Sequence, residues 1–169
     1  MVVVVDDEDR ENEGDIIFAA ERCTPDMINF LAREARGLVC VAAERSHLER
    51  LELYPMTHRN TSRLGTAFTV SVDAVEGTTT GISASDRSVT IQKFVDPRTR
   101  ATELARPGHV FPLQAVAGGV VLTGGGSLLN GVDVLSEIYP TRGSVTASNR
   151  RTTKSRIPTT EMSMPIESV

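Results

Sequence analysis

Apolar and polar positions alternate along this chain in blocks whose periods name the elements. Val2 to Val5 and Ile16 to Ala20 are apolar, β-branched runs that read as strands on either side of a polar connection. Thr24-Pro25-Asp26 carries the marks of a helix start, with Thr24 as N-cap, Pro25 at the first helical position and Asp26 in the positive first turn. Met27, Phe30, Leu31 and Ala35 then share one helical face, and Gly37 is expected to stop the helix. Leu38 to Ala43 predicts a buried strand, Arg45 to Leu53 a short amphipathic helix, and Tyr54 to Gly65 a polar loop containing His58, Arg59, Asn60 and Arg63. Thr66 to Val72 alternates with a period of two, as a half-buried strand does.

Gly77-Thr78-Thr79-Thr80-Gly81 is too poor in helix formers to be helical. Ser83 is placed to cap a helix over Ala84 to Phe94, which ends before Asp96-Pro97. Hydroxyls and N–H groups at that helix start suit an anion, although, taken alone, Thr78 to Thr80 are better accounted for by pairing in a sheet. Arg106-Pro107-Gly108-His109 reads as a turn leading into a strand over Val110 to Leu113, with His109 at the strand mouth. The irregular order of strands and helices predicts an α/β or layered α+β fold, a mixed sheet flanked by helices.

Composition narrows the class. At 169 residues and 40% hydrophobic content the chain supports one domain with a real core. A formal charge of −4, with no concentrated basic face before residue 141, argues against a nucleic-acid binder. No apolar run is long enough to span a bilayer, and Met1 leads into Val2 without the basic start of a signal peptide, so a cytoplasmic protein is expected. Cys23 and Cys40 are too few for a disulfide scaffold or a zinc site and are read as thiols. Residues 141–169 contain eleven Ser or Thr and no apolar periodicity, so we divide the chain into a domain over 1–140 and a disordered tail over 141–169.

The connection between the first two strands is the chemically loaded one. Asp6 to Asp15 reads DDEDRENEGD, seven acids in ten positions. Carboxylates this dense repel one another unless a cation sits among them, and their hard oxygens suit Mg²⁺ or Mn²⁺. Arg10, set among them, offers a forked donor for a phosphate or hydroxyl. The plainer alternative is a solvated charge run, against which stand the flanking strands and the Gly-Asp ending. The spacing does not match an EF-hand.

Taken in order and spacing, DDEDRENEGD, NTSRLGTAFTVSVDA, GTTTGISASDR and RPGHVFPL resemble the 3,4-dihydroxy-2-butanone 4-phosphate synthase family of riboflavin biosynthesis, from Val2 to about Thr123. The resemblance implies a lyase that converts D-ribulose 5-phosphate into formate and 3,4-dihydroxy-2-butanone 4-phosphate, uses Mg²⁺ or Mn²⁺, and works as a homodimer with active sites at the subunit interface. By position it implies that Arg10 and Glu11 bind substrate, that Glu11 also ligates the metal, and that Asp15 and Asp6 contact the sugar phosphate. It further implies that Glu13, His109 and Cys40 act in catalysis, and that Thr80 and Asp86 line the pocket. Two departures matter. The family carries a helix ahead of the first strand that has no counterpart before Met1. After the Gly118-Gly119-Val120 segment, Thr123 stands for an Arg, Gly126 for the metal-binding His, Ser127 for a Thr and Ala147 for a catalytic Glu. The alternative reading is therefore a catalytically impaired remnant that binds metal or sugar phosphate, or dimerises, without turnover.

Overall fold

The computed structural model describes residues 1–5, 14–115 and 120–124, the last group by its backbone alone. The expected disordered tail and most of the acidic stretch lie outside them. The strands are β1 (Val2–Val5), β2 (Gly14–Ala19), β3 (Leu38–Ala43), β4 (Val72–Ala74), β5 (Leu104–Gln114) and β6 (Val120–Gly124). The helices are α1 (Pro25–Phe30), α2 (Arg45–Arg50) and α3 (Ala84–Val95). One mixed six-stranded sheet has the order β1-β2-β6-β3-β5-β4, in which only β3 and β5 pair in parallel.

Successive residues of a strand face opposite sides, so each strand divides its side chains between two layers. Phe18, Val39, Val41, Val72, Leu104 and Val110 face the helices and pack with Ile28 and Leu31, Leu48 of α2, and Ile91 and Phe94 of α3. Each large side chain so buried contributes on the order of 1.5–3 kcal/mol relative to exposure. The other face, which none of the three helices covers, carries Val4, Ile17, Cys40, Ala42 and Leu113, with Phe68 and Phe111 beside them.

The helix starts match their sequence signals. Thr24 Oγ1 accepts from Met27 N at 3.2 Å and Ser83 Oγ accepts from Asp86 N at 3.0 Å, each relieving an N–H that the first turn leaves without a partner. The helix ends differ. Arg36, not Gly37, takes the left-handed conformation (φ 58°) after a wide turn over Leu31–Ala35, its N–H reaching Leu31 O at 3.0 Å. The second helix stops at Arg50, because Glu52 turns left-handed (φ 54°) and Leu53 N–H folds back onto Leu48 O.

Two strand expectations are corrected. The alternation over Thr66 to Val72 yields only single bridges, Pro55 with Thr69 and Phe68 with Leu113, and the regular edge strand is shifted to Val72–Ala74. Arg106 to His109 is not a turn but the interior of the long β5, which accommodates a cis Arg106–Pro107 bond. Gly108 explains why no turn forms there: a Cβ would overlap the Val72 and Asp73 backbone, so the glycine lets β4 approach closely.

A buried hydroxyl ties α3 to the β4 edge. Thr90, fully buried, donates to Asp86 O at 3.0 Å and accepts from Ala74 N at 2.9 Å. Thr90→Val keeps the shape but leaves the Ala74 N–H without an acceptor, and urea unfolding should show a loss of about 1–3 kcal/mol.

Candidate active site

Five of the nine residues singled out in the sequence are described: Asp15, Cys40, Thr80, Asp86 and His109. Asp6, Arg10, Glu11 and Glu13 lie outside the described residues.

Strand register brings Asp15, Cys40 and His109 to one face. Asp15 opposes Val4, and Cys40 opposes Phe111, so both belong to the helix-free face. His109 shares that face with Phe111 and Leu113, because Val110 between them is buried on the helix side. Extending the pairing of Ile16 with Thr123 by one residue brings Asp15 to Gly124, the partner of Leu38, and extending that of Cys40 with Phe111 by two brings Leu38 to His109, so Asp15, Leu38 and His109 fall in one row. Three strand intervals separate Asp15 from His109, about 14 Å across the sheet.

His109 is held by a residue that the sequence reading passed over. Asp73, at the β4 edge, accepts from His109 N–H through Oδ1 at 2.9 Å, and its Oδ2 lies 2.8 Å from His109 Nδ1. The His109 side chain is 41% exposed and that of Asp73 14%. A contact between positions 36 apart has no signature in local periodicity. The only hint is an acid directly after the apolar Val70-Ser71-Val72.

The Gly77–Gly81 segment is a loop, and Asp86 organises it. Asp86 Oδ2 accepts from Thr79 Oγ1 and from Gly81 N, both at 2.9 Å. Burial opposes the charge of this carboxylate, but the donors from Thr79, Gly81 and Ser83 outweigh it and hold its pKa below the ordinary value. Asp86 thus holds the loop through its carboxylate, while Thr80 is exposed beside it. Gly81 (φ +86°) lies against the His–Asp pair: a Cβ there would overlap the Asp73 carboxylate and come within 2.7 Å of His109 Nδ1.

Cys40 is buried among apolar neighbours, and burial, followed by the Asp15 charge, pushes its thiol up to about 12. It is protonated at neutral pH, so this environment does not activate it as a nucleophile. Cys23 is likewise free and buried, its thiol pushed up to about 11, chiefly by burial. Among the described residues no group of three or more His, Cys, Asp or Glu could hold a metal ion, so they do not complete a metal centre on their own. A cavity of about 550 Å³, lined by Arg59, Asn60, Phe68, Thr69 and Gln114 among others, lies at the far end of β5, five residues or about 17 Å along the strand from His109.

The family model described as 3,4-dihydroxy-2-butanone 4-phosphate synthase matches residues 1–126. A curated 3,4-dihydroxy-2-butanone 4-phosphate synthase of Agrobacterium fabrum is 56% identical over 121 residues, 72% of this chain and 57% of that protein. The riboflavin biosynthesis protein RibBA of Chlorobium phaeovibrioides is 55% identical over 122 residues, 72% of this chain and 30% of its own length. A solved 3,4-dihydroxy-2-butanone 4-phosphate synthase in complex with two magnesium ions superposes with a TM-score of 0.69 at 38% identity, covering 72% of this chain and 68% of the other. The chain thus spans well under two thirds of either curated relative.

Two outcomes follow from these environments. Because Asp86 has its pKa lowered on folding, the stability it contributes is present above the ordinary carboxylate pKa and is lost as pH falls through its folded value. The margin of the wild type over Asp86→Asn in thermal melts should therefore shrink with acidification. Both cysteines should resist a disulfide reagent near neutral pH in the native chain and react promptly in denaturant, as read by thiolate release.

Proposed function

Because the chain belongs to the 3,4-dihydroxy-2-butanone 4-phosphate synthase family, we propose that it serves riboflavin biosynthesis by converting D-ribulose 5-phosphate into 3,4-dihydroxy-2-butanone 4-phosphate and formate. The observation that carries this reading is the His109–Asp73 pair, set on the helix-free face in one row with Asp15 at the exit of the acidic stretch.

The chemistry asks for proton movement more than for added reagents. The formula of the substrate equals the sum of the two products, because the water lost with the departing hydroxyl is matched by a water taken up as the one-carbon acid is released, so no oxidant, reductant or group donor enters. A proton must leave the carbon beside the carbonyl, a hydroxyl must depart, the carbon skeleton must rearrange and a one-carbon acid must separate. His109 is the group that carries protons here: its ring is partly exposed, and with Nδ1 on Asp73 the other nitrogen meets no hydrogen-bond partner among the described residues and can accept or donate. Glu13 shares that proton traffic. Cys40, kept protonated, contributes bulk and an apolar wall near the sugar. Arg10, Glu11, Asp15 and Asp6 hold the polar sugar phosphate, and the hydroxyl of Thr80, set on the loop shaped by Asp86, completes the rim.

Mg²⁺ or Mn²⁺, with Glu11 as a ligand, belongs to the same proposal; the carboxylate-rich segment suits a hard cation, which would stabilise negative charge on adjacent substrate oxygens. A homodimer with sites at the subunit interface is supported by the exposed apolar side chains of Leu38, which lies in the row between Asp15 and His109, and of Tyr54 and Met56. No helix among the described residues is long and apolar enough to cross a membrane, and the reaction as proposed takes place in the cytoplasm.

A second reading rests on Thr123, Gly126, Ser127 and Ala147, which stand where the resemblance expects an Arg, a metal-binding His, a Thr and a catalytic Glu. It retains binding of sugar phosphate or metal without turnover. Incubating the purified chain with ribulose 5-phosphate and Mg²⁺ separates the two. Formate should appear, and His109→Ala should lower its rate on the order of 10²- to 10⁴-fold while the circular dichroism spectrum is kept. Calorimetric binding of the sugar phosphate with no formate would establish the second reading in place of the first.

A further inference from the structure

We propose that the outer edge of β1 is a docking strand for a second copy of this chain, joining two sheets edge to edge about a two-fold axis centred on Val3. This contact is separate from the helix-free face and leaves that face open.

The two ends of the sheet are protected differently. The β4 end is three residues long and broken by a register shift between Val72 and Asp73, features that blunt an edge. The β1 end has neither. Val2–Val5 pairs with β2 on one side and with no described strand on the other, and it carries no charge, proline or bulge. Its outward N–H and C=O groups are a template for another strand. The side chains are as open as the backbone. Val2 and Val4 pack on the helix-free cluster, whereas Val3 opposes Ile16 and so lies on the helix side. No helix covers the odd positions there: Val3 is 47% exposed, Val5 58% and Met1 45%.

The occupant that fits this pattern is the strand itself. An axis normal to the sheet keeps both helix layers on one side, so opposed residues must be both odd or both even. Centred on Val3, it sets Val3 against the partner's Val3, Val2 against the partner's Val4 and Met1 against the partner's Val5. The odd positions of the two strands then form an unbroken ladder of six apolar side chains, each of them exposed in the single chain.

Charge selects this register over its neighbour. The acidic stretch begins directly after Val5. With the axis on Val3, Val5 and the partner's Val5 stand four positions apart along the ribbon, roughly 14 Å, beyond the screening length of ~8 Å at physiological ionic strength. With the axis on Val4 they would stand two positions apart, roughly 7 Å, and the two acidic stretches would repel. The contact is short, well below the ~1,200 Å² of a stable specific interface, so the association is weak and reversible.

Oxidative cross-linking of the purified full chain reads the register. The two native thiols, Cys23 and Cys40, are both buried, so an introduced cysteine is the one exposed thiol. Opposed residues of an antiparallel pair have Cα atoms ~4.5–5.5 Å apart, within the ~4.4–6.8 Å that a disulfide spans. Val3→Cys should therefore give a disulfide-linked dimer under mild oxidation, while Val5→Cys, though the more exposed position, stays reduced. Chance collision would link the more exposed thiol at least as fast, so linkage of Val5→Cys at an equal or higher rate overturns the proposal. Sedimentation at rising protein concentration gives a second reading. The wild type should shift toward twice the mass of its dilute species, and less so in low salt, where the screening length grows to ~30 Å. Val3→Lys should abolish that shift with its thermal melt kept, while any assembly through the helix-free face persists in it. A wild type whose mass is independent of concentration, or a Val3→Lys chain that associates as the wild type does, overturns the proposal.

Discussion

The pleat of β3 and β5 decides which side chains of this chain can meet. Odd and even positions point to opposite sides, so Val39, Val41 and Val110 are committed to the helices while Cys40, His109 and Phe111 are committed to the other face. A slip of one residue in the parallel pairing would bury His109 beneath α3 and turn Val110 outward. The apolar cost of that exchange is what holds the polar face in register. Core packing and the candidate site are thus the two sides of one constraint, and the helices stabilise a surface they never touch.

The same economy appears at the β4 edge. Asp86 lies within the first turn of α3, and from that position it binds the preceding loop. Through Gly81 this sets one wall around Asp73 and His109. Thr90, a turn further along, links the helix to Ala74 just beyond Asp73. Rigidity at His109 is therefore imported from a helix on the opposite layer, by way of one glycine and two buried polar side chains. Placing an imidazole on a strand braced in this way gives it a more exact orientation than a free loop would.

Much of this was legible in the sequence where physics is local. The caps at Thr24 and Ser83, the apolar run of β3 and the long helix after the Gly77–Gly81 loop follow from neighbours within four residues, and each appears where its signal lies. The misses share a cause. Gly37 and the Arg106–His109 segment look like punctuation because Gly and Pro usually are, yet tertiary contacts overrode them: Arg36 took the left-handed turn, and Gly108 permitted close strand approach. Asp73 stayed hidden because its role exists only between strands. Of the residues given site roles, Asp15, Cys40 and His109 share a face, which follows from strand register, whereas the placement of Asp86 inside the loop, as its organiser, could be read only from hydrogen-bond partners.

One topological fact reaches beyond the folded state. β6, the last strand described, is inserted between β2 and β3, so the hairpin bearing Asp15 is joined to the half of the sheet bearing His109 by a strand synthesised after both. During synthesis the two halves are open edges facing each other, each with unpaired backbone groups. Assembly of the row from Asp15 to His109 is then a post-translational event in the literal sense of timing: it awaits residues that themselves carry no assigned chemistry. Quality control over the site falls to a seam strand, and a nascent chain stalled short of it would hold its two halves together only through the helical layer, where Gln92 reaches Cys23 O.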